Sequence, residues 1–241
     1  MIRTRTFWGL FVCYAIGCLA GLMAIGIAKP VGAEVVKLSS ATGTTLVGLF
    51  AVFNALGRPL FGWLTDRLSP RWAAVLNLAI VLGLSLLMLG AGAGSTWLYT
   101  VSFAGFWLCL GGWLAIAPTA TATFFGLEHH ARNYGTVYFA YGIGAILGGI
   151  ISGHAKDMFG SYVYAFYPTA GLAAVGIAVA LVCLTPRAAA GQRHKGVHPG
   201  FPWVMPGGPG LPVHGARLLV ARDPLGGVVP GERLAEPGRS S

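Results

Sequence analysis

The sequence predicts an all-α, polytopic membrane protein with six transmembrane helices. Hydrophobic residues make up 55% of the 241 residues and charged residues only 10%, whereas about a quarter of the residues of a soluble domain are charged. In addition, six apolar stretches are each long enough to cross a bilayer, which requires about 20 residues. These stretches are Phe7–Ala28, Thr42–Leu64, Trp72–Ala91, Trp97–Ala117, Tyr134–Gly153 and Val163–Leu184.

The first stretch follows Arg3 and Arg5, in the way that the apolar region of a secretory signal peptide follows basic residues. It is longer than the roughly 7–15 apolar residues of a signal peptide. We therefore expect a retained transmembrane helix that ends before Lys29-Pro30 and has Tyr14 near its middle.

The second stretch carries a single charged residue, Arg58, between Leu46 and Leu64. An arginine at the centre of a membrane helix costs about 2.5–3.5 kcal/mol on insertion scales. Arg58 precedes Asp66 by two helical turns, about 12 Å, which is too deep for its side chain to reach the headgroups easily. We therefore expect Arg58 to bind an anionic ligand in a cavity, or else to bond a partner helix or backbone carbonyl groups.

Turn and charge signals separate the later stretches at Ser69-Pro70, Gly92–Ser95, Glu128–Asn133 and Lys156-Asp157. A continuation of the fourth helix to Phe125 would place Pro118 at a kink. Glycines four residues apart predict close contacts between membrane helices. Three such pairs occur: Gly17 with Gly21, Gly144 with Gly148, and Gly149 with Gly153.

The distribution of basic residues predicts the orientation of the chain, because cytoplasmic loops are enriched in lysine and arginine. With the N-terminus inside, the cytoplasmic side holds Arg3, Arg5, Arg67, Arg71, Arg132, Arg187, Arg193 and Lys195, and the outer side holds Lys29, Lys37 and Lys156. We therefore expect both termini to be cytoplasmic and the protein to reside in the inner (plasma) membrane.

Residues 187–241 differ in composition from the membrane domain, residues 1–186. They are rich in Gly, Pro and Arg, and they lack the long apolar stretches of the preceding residues. A composition of this kind predicts a disordered segment.

The sequence gives no indication of an enzyme, a cofactor, a metal site or nucleic-acid binding. The four cysteines lie in apolar stretches without CxxC spacing, at Cys13, Cys18, Cys109 and Cys183. Phosphate-binding, serine-hydrolase and zinc-protease motifs are absent from the sequence. The formal net charge of +9 does not indicate nucleic-acid binding, because the basic residues collect between apolar stretches.

An internal repeat relates the first three helices to the last three. Three residues near the end of the second helix match three near the end of the fifth at one constant offset: Gly57, Gly62 and Asp66 correspond to Gly148, Gly153 and Asp157. The two helices cross the membrane in opposite directions, as an inverted three-plus-three repeat requires.

Two segments carry a resemblance to a known family. Residues 54–67, NALGRPLFGWLTDR, resemble the loop signature between helices 8 and 9 of major facilitator superfamily transporters. Residues 133–142, NYGTVYFAYG, are similar to the start of helix 11 in the oxalate/formate antiporter branch. The likeness covers residues 6–186, which correspond to the C-terminal six helices of a twelve-helix fold. It implies one half of a major facilitator fold, with the substrate bound between two halves.

The resemblance implies transport of a small organic anion, a mono- or dicarboxylate, by alternating access. Transporters of this branch are thought to bind a dianion between an arginine on helix 8 and a lysine on helix 11. Arg58 matches the arginine, but Tyr141 stands where the lysine would be, which favours a monocarboxylate or another small anion. Asn54, Tyr14, Tyr138 and Tyr141 are expected to line the substrate path beside Arg58. Exchange or a uniporter-like cycle is favoured over proton coupling, because the six helices carry no membrane-embedded acid.

The resemblance also assigns a gating role to Asp66 and its neighbour Arg67. In the superfamily an acid of this type meets the N-terminus of a helix from the opposite half, where a carboxylate is stabilised. The alternative is a solvated ion pair between Asp66 and Arg67 or Arg71, which would contribute little. A separate N-terminal six-helix half is therefore an expected partner, besides the lipid bilayer.

Two other functions remain open at this point. The chain could be a truncated fragment without transport activity, as the missing half and the change of composition after Pro186 suggest. It could also be a membrane subunit or scaffold in which Arg58 pairs with a partner helix.

Overall fold

The computed structural model describes residues 1–184 and confirms six helices, each long and apolar enough to cross a membrane. The stretch 187–241, predicted to be disordered, lies outside the described residues. The helices are α1 (Arg5–Glu34), α2 (Ser40–Leu68), α3 (Pro70–Met88), α4 (Thr96–Phe125), α5 (His130–Phe159) and α6 (Phe166–Cys183), with a short 3-10 helix at Tyr162–Ala165. The chain is therefore an all-α, multi-pass membrane protein.

Two predicted helix boundaries are wrong. Lys29-Pro30 lies inside α1 and Lys156 in the last turn of α5, although both were expected to separate helices. The proline lacks one amide hydrogen, and α1 continues for one more turn after it. Lys156 is favourable at the negative C-terminal end of α5, and it forms an ion pair with Glu34 at the end of α1. The fourth helix does continue to Phe125, as anticipated.

The helices pack as two equivalent sets of three. The long helices α1 and α4 cross at the centre, and two thirds (67%) of each spanning segment is buried. Helix α2 packs along α4, α5 packs along α1, and α3 packs against α6. Exchanging α1–α3 with α4–α6 therefore reproduces the same set of main contacts. This pairing is the packing expected from the inverted repeat.

Glycines make the closest contacts between these helices. A Cβ on Gly57 of α2 would clash with the Leu108 carbonyl oxygen of α4. A Cβ on Gly148 of α5 would lie 2.9 Å from the Leu19 carbonyl oxygen of α1. The two matched glycines of the repeat thus occupy equivalent contacts, and they let the backbones approach closely.

The predicted glycine contacts at Gly149 and Gly153 are wrong for the described part of the chain. A Cβ at either position would have no neighbour within 4 Å, because both glycines lie on the side of α5 turned away from α1. In contrast, Gly17 and Gly21 lie at the crossing of α1 with α4, where they face Trp113 and Leu110. Spacing along a helix identifies a stripe of glycines, but packing decides which stripe is covered.

Helices α2 and α5 leave most of their surfaces open. Only 17% of the spanning segment of α2 and 28% of that of α5 are buried within the described chain. Their open surfaces carry large apolar side chains such as Leu56, Leu60, Ile143 and Ile146. Arg58 lies among these open residues, so the fold places this charge outside the packed core.

Candidate anion-binding site

Arg58 is an exposed cation deep in the spanning part of α2. It precedes the last residue of the helix, Leu68, by ten residues, about 15 Å along the axis. Its guanidinium group makes no hydrogen bond and no ion pair with residues 1–184. Pro59, the next residue, has no amide hydrogen, so the carbonyl group of Ala55 lacks its usual helical partner. Within the described chain the positive charge of Arg58 is therefore available to a ligand.

A tyrosine on α5 lies within electrostatic range of this cation. The guanidinium group of Arg58 lies close enough to Tyr141 for its charge to act on the tyrosine hydroxyl group. Arg58 and Tyr141 stand on different helices, of which α2 packs mainly on α4 and α5 mainly on α1. The structure therefore brings together two of the residues that the sequence predicted to line the substrate path.

Tyr138 and Tyr141 form a stacked pair on α5. Their ring centroids lie 5.2 Å apart, and the ring planes differ by 5°. They line a groove of about 240 Å³ together with Gly135, Phe139 and Gly142. Tyr138 is 43% exposed, so an aromatic face and a hydroxyl group remain accessible at the mouth of the groove.

Tyr14 of α1 lies on the buried side of the Tyr138–Tyr141 pair, and the three tyrosines form an aromatic cluster. It is fully buried, and its ring lies 6.4 Å from that of Tyr138 and 6.5 Å from that of Tyr141. Its hydroxyl group lies near Tyr134 but makes no hydrogen bond of normal geometry within residues 1–184. Buried tyrosine hydroxyl groups usually have a partner, so this one is a candidate donor to a ligand.

Trp113 of α4 is a candidate residue that the sequence reasoning did not assign to the site. It is fully buried, and its ring centroid lies 5.8 Å from that of Tyr14. Its indole N–H has no hydrogen-bond partner within the described residues. In the sequence, Trp113 stands deep in an apolar stretch, which predicts burial. That position does not show which side chains of other helices surround it. Tyr134 was also missed, although it lies one helical turn before Tyr138 and their rings contact.

Asn54 lies one turn before Arg58, and it has a structural partner. Its Nδ2 donates a hydrogen bond to the Trp107 carbonyl oxygen of α4, at 3.0 Å. Next to this contact, Gly111 of α4 faces the carbonyl oxygen of Asn54. The Asn54 side chain therefore joins α2 to α4, and its Oδ1 remains as a hydrogen-bond acceptor.

The predicted gating residues lie at the end of α2. Asp66 and Arg67 are both exposed, and Asp66 makes no ion pair within the part of the chain that the structure describes. The Arg67 guanidinium lies over the Trp63 ring, 5.7 Å from its centroid. Arg71 instead donates a hydrogen bond to the Leu181 carbonyl oxygen in the last turn of α6, at 2.7 Å. The alternative ion pair of Asp66 with Arg67 or Arg71 is therefore not formed.

Comparison with known proteins identifies the class of this protein. The family model of the Major Facilitator Superfamily matches residues 7–225, which is most of the chain. The chain therefore belongs to this superfamily of transporters, and the six-helix packing described above agrees with that assignment.

Individual relatives are more distant. The chain is 27% identical to the Escherichia coli (strain K12) protein named "Uncharacterized MFS-type transporter YhjX", over 60% of this chain and 36% of that protein. It is 26% identical to the oxalate:formate antiporter of Oxalobacter formigenes, over 66% of this chain and 38% of that protein. It is 30% identical to human protein spinster homolog 1, over 58% of this chain and 27% of that protein. The matched region thus spans only about a third of the length of these relatives.

Proposed function

We propose that this chain forms the anion-binding half of a secondary transporter that moves a small organic anion by alternating access. The observation that carries the proposal is the Arg58 guanidinium, which is exposed at membrane depth without an acidic partner in residues 1–184. A charge that is costly in lipid is retained where it has a function. A bound anion would balance this charge during transport.

The surrounding groups favour a carboxylate as the ligand. The planar guanidinium group of Arg58 can donate two parallel hydrogen bonds to the two oxygens of a carboxylate. The hydroxyl group of Tyr141 is a further donor at the groove, and the stacked tyrosines offer an apolar wall. Tyr14 and Trp113 lie buried behind them, and their polar groups have no hydrogen-bond partner within residues 1–184. Asn54 lies one turn away and holds α2 against α4 through its hydrogen bond to the Trp107 carbonyl oxygen. Its Oδ1 is a hydrogen-bond acceptor, so it does not bond the oxygens of a carboxylate.

The charge of the site favours a monocarboxylate over a dicarboxylate. Among residues 1–184, Arg58 is the one basic side chain whose charge acts on Tyr141, and Tyr141 stands where the resemblance places a lysine. The Oxalobacter formigenes relative is named for the exchange of oxalate and formate. One arginine balances a single negative charge, as in formate, and leaves the second charge of oxalate without a cation from this half.

The transport cycle requires a second six-helix half. We propose that it covers the open surfaces of α2 and α5 and encloses the substrate between the halves. Asp66 would then meet the positive N-terminal end of a helix from that half in one state of the cycle, with Arg67 beside it. Both termini would be cytoplasmic in the inner membrane, as the basic residues predict.

The positions of the acidic residues favour exchange or a uniporter-like cycle over proton coupling. The four carboxylates within residues 1–184 all lie at or near the ends of helices: Glu34, Asp66, Glu128 and Asp157. None lies near Arg58 in the middle of the membrane, where it could take up a proton as the anion binds.

The proposal predicts that Arg58→Gln weakens anion binding by about 10- to 100-fold, because it removes a charge-assisted hydrogen-bond pair worth about 1.5–3 kcal/mol. Arg58→Lys should retain part of the affinity, since it keeps the charge and loses the bidentate geometry. The measurement is equilibrium binding of radiolabelled formate and acetate to the chain in lipid nanodiscs. Lys37→Gln, which removes an exposed charge outside the membrane, is the matched control.

Two results would contradict this assignment. Unchanged anion binding in Arg58→Gln would remove the anchor role. Loss of thermal stability in Arg58→Gln and Arg58→Lys, without a change in affinity, would instead indicate that Arg58 pairs with a partner helix.

A further inference from the structure

A second cavity lies away from Arg58, where the residues before α1 meet the start of α5. It has a volume of about 430 Å³, and its lining includes Arg3, His129, Arg132, Asn133 and Thr136. The transport role proposed above uses none of these residues. The cavity lies on the side of the membrane where the basic residues collect.

The charge of this cavity is positive. Arg3 and Arg132 are exposed, and neither forms an ion pair within residues 1–184. The nearest acid, Glu128, contacts His129 at 4.0 Å, is largely exposed and does not line the cavity. Two arginines from different parts of the chain therefore face one space without a carboxylate of this chain between them.

Hydrogen-bond donors add to this charge. Helix α5 begins at His130 without a side-chain cap. The amide hydrogens of His130 and Asn133 are bonded to backbone carbonyl groups, and those of Ala131 and Arg132 remain available. The start of a helix also carries a partial positive charge that favours anions. The cavity thus combines guanidinium and amide donors, which suit the oxygens of a phosphate group.

The position of the cavity indicates which kind of phosphate compound binds there. It lies at the end of the membrane helices, and its lining includes the apolar side chains of Met1 and Ile2, of which Ile2 is exposed. A free phosphate ion would gain nothing from contact with these apolar side chains, whereas a phospholipid would place its glycerol and acyl chains against them. Basic pockets at the cytoplasmic ends of membrane helices bind anionic headgroups.

We infer that this cavity, with Arg3 and Arg132 as its cationic residues, is a binding site for the phosphate-bearing headgroup of an anionic membrane phospholipid. The bound lipid would join the segment before α1 to the first turn of α5. This inference is independent of the Arg58 site, and it uses the proposed orientation only to assign the lipid to the cytoplasmic leaflet.

The test is a titration of the purified chain, in a neutral detergent, with short-chain phosphatidylglycerol, phosphatidylcholine and inorganic phosphate. Binding is followed by native mass spectrometry. We expect phosphatidylglycerol to bind more tightly than either of the other two probes. Arg3→Gln and Arg132→Gln should each weaken its binding about fivefold, since a basic residue near an anionic surface contributes about 1 kcal/mol.

Arg5→Gln is the matched control, because Arg5 is exposed two residues after Arg3 and does not line the cavity. It should leave the affinity for phosphatidylglycerol within about twofold, because Arg5 lies outside the cavity and solvent screens its charge from the bound headgroup. Arg132→Lys should retain most of the affinity, and a melting curve shows that each variant is folded.

Three outcomes would overturn the inference. Equal binding of phosphatidylglycerol and phosphatidylcholine would show that the headgroup charge is not recognised. Binding of inorganic phosphate as tightly as phosphatidylglycerol would assign the cavity to a soluble anion. An equal loss in Arg5→Gln and Arg132→Gln would indicate general attraction to the basic surface, which an acidic protein segment could share.

Discussion

The guanidinium group of Arg58 combines two properties that are rarely found together at membrane depth. It is exposed, and it has no acidic partner within residues 1–184. A nearby tyrosine hydroxyl at Tyr141 can share hydrogen bonds with a ligand, but it does not neutralise the cation. The arrangement is better suited to an anion that binds reversibly than to a permanent ion pair. A permanent ion pair would keep the charge of Arg58 neutralised in every state of the cycle.

The character of residue 141 should set the charge of the preferred ligand. Tyr141→Lys adds a second cation opposite Arg58, so we expect oxalate to gain about tenfold in affinity relative to formate, as one charge-assisted hydrogen bond contributes about 1.5 kcal/mol. Competition binding with the two anions on the chain in nanodiscs measures this ratio. Tyr141→Phe, which removes the hydroxyl group without adding charge, is the control and should not raise the ratio. An unchanged ratio in Tyr141→Lys would show that Tyr141 does not border the bound anion.

Among the elements, α2 and α5 each pack extensively on one central helix and leave their opposite sides open. Each is anchored by a glycine against the backbone of a central helix, and α2 gains one hydrogen bond from Asn54 to α4. A helix packed on one side can present its opposite side to a partner, which suits an interface that rearranges during transport.

The two neighbouring glycines of α5 should respond differently to the same substitution. Gly148→Ala places a methyl group 2.9 Å from the Leu19 carbonyl oxygen, and such overpacking costs about 1–3 kcal/mol. Gly149→Ala meets open space and should be neutral or slightly stabilising, since alanine is a better helix former by up to about 1 kcal/mol. Thermal unfolding of both variants in detergent gives the comparison. Equal melting temperatures would show that α5 does not pack on α1 through Gly148.

At the scale of the whole molecule, the six helices form a bundle whose two open helices lie in equivalent positions of an inverted repeat. The matched region spans about a third of the length of its relatives. The open surfaces of α2 and α5 are therefore the place where we propose that a second half packs. The basic residues of the loops predict how this bundle is oriented in the membrane.

The orientation can be tested by labelling two loops. We expect a membrane-impermeant maleimide added to intact spheroplasts to label Ala93→Cys, between α3 and α4, and to spare Leu127→Cys, between α4 and α5. Both positions are exposed, and Cys13, Cys18 and Cys109 are buried. Cys183 is partly exposed, so it is replaced by serine in both variants to keep background labelling low. Permeabilised cells, in which both variants should react, provide the control. The reverse pattern in intact spheroplasts would place the termini outside.

The sequence by itself determined the six spanning helices, the deep position of Arg58 and the superfamily, because apolar length, an isolated charge and a local motif are properties of neighbouring residues. It did not determine which helices lie at the centre, that Gly149 is open while Gly148 is packed, or that Trp113 and Tyr134 join Tyr14 beside Tyr138 and Tyr141. It also left open that the Asn54 amide is bonded to α4. These features depend on how helices distant in the sequence cross one another, and only the tertiary packing of α1 against α4, with α2 and α5 on either side, decides them.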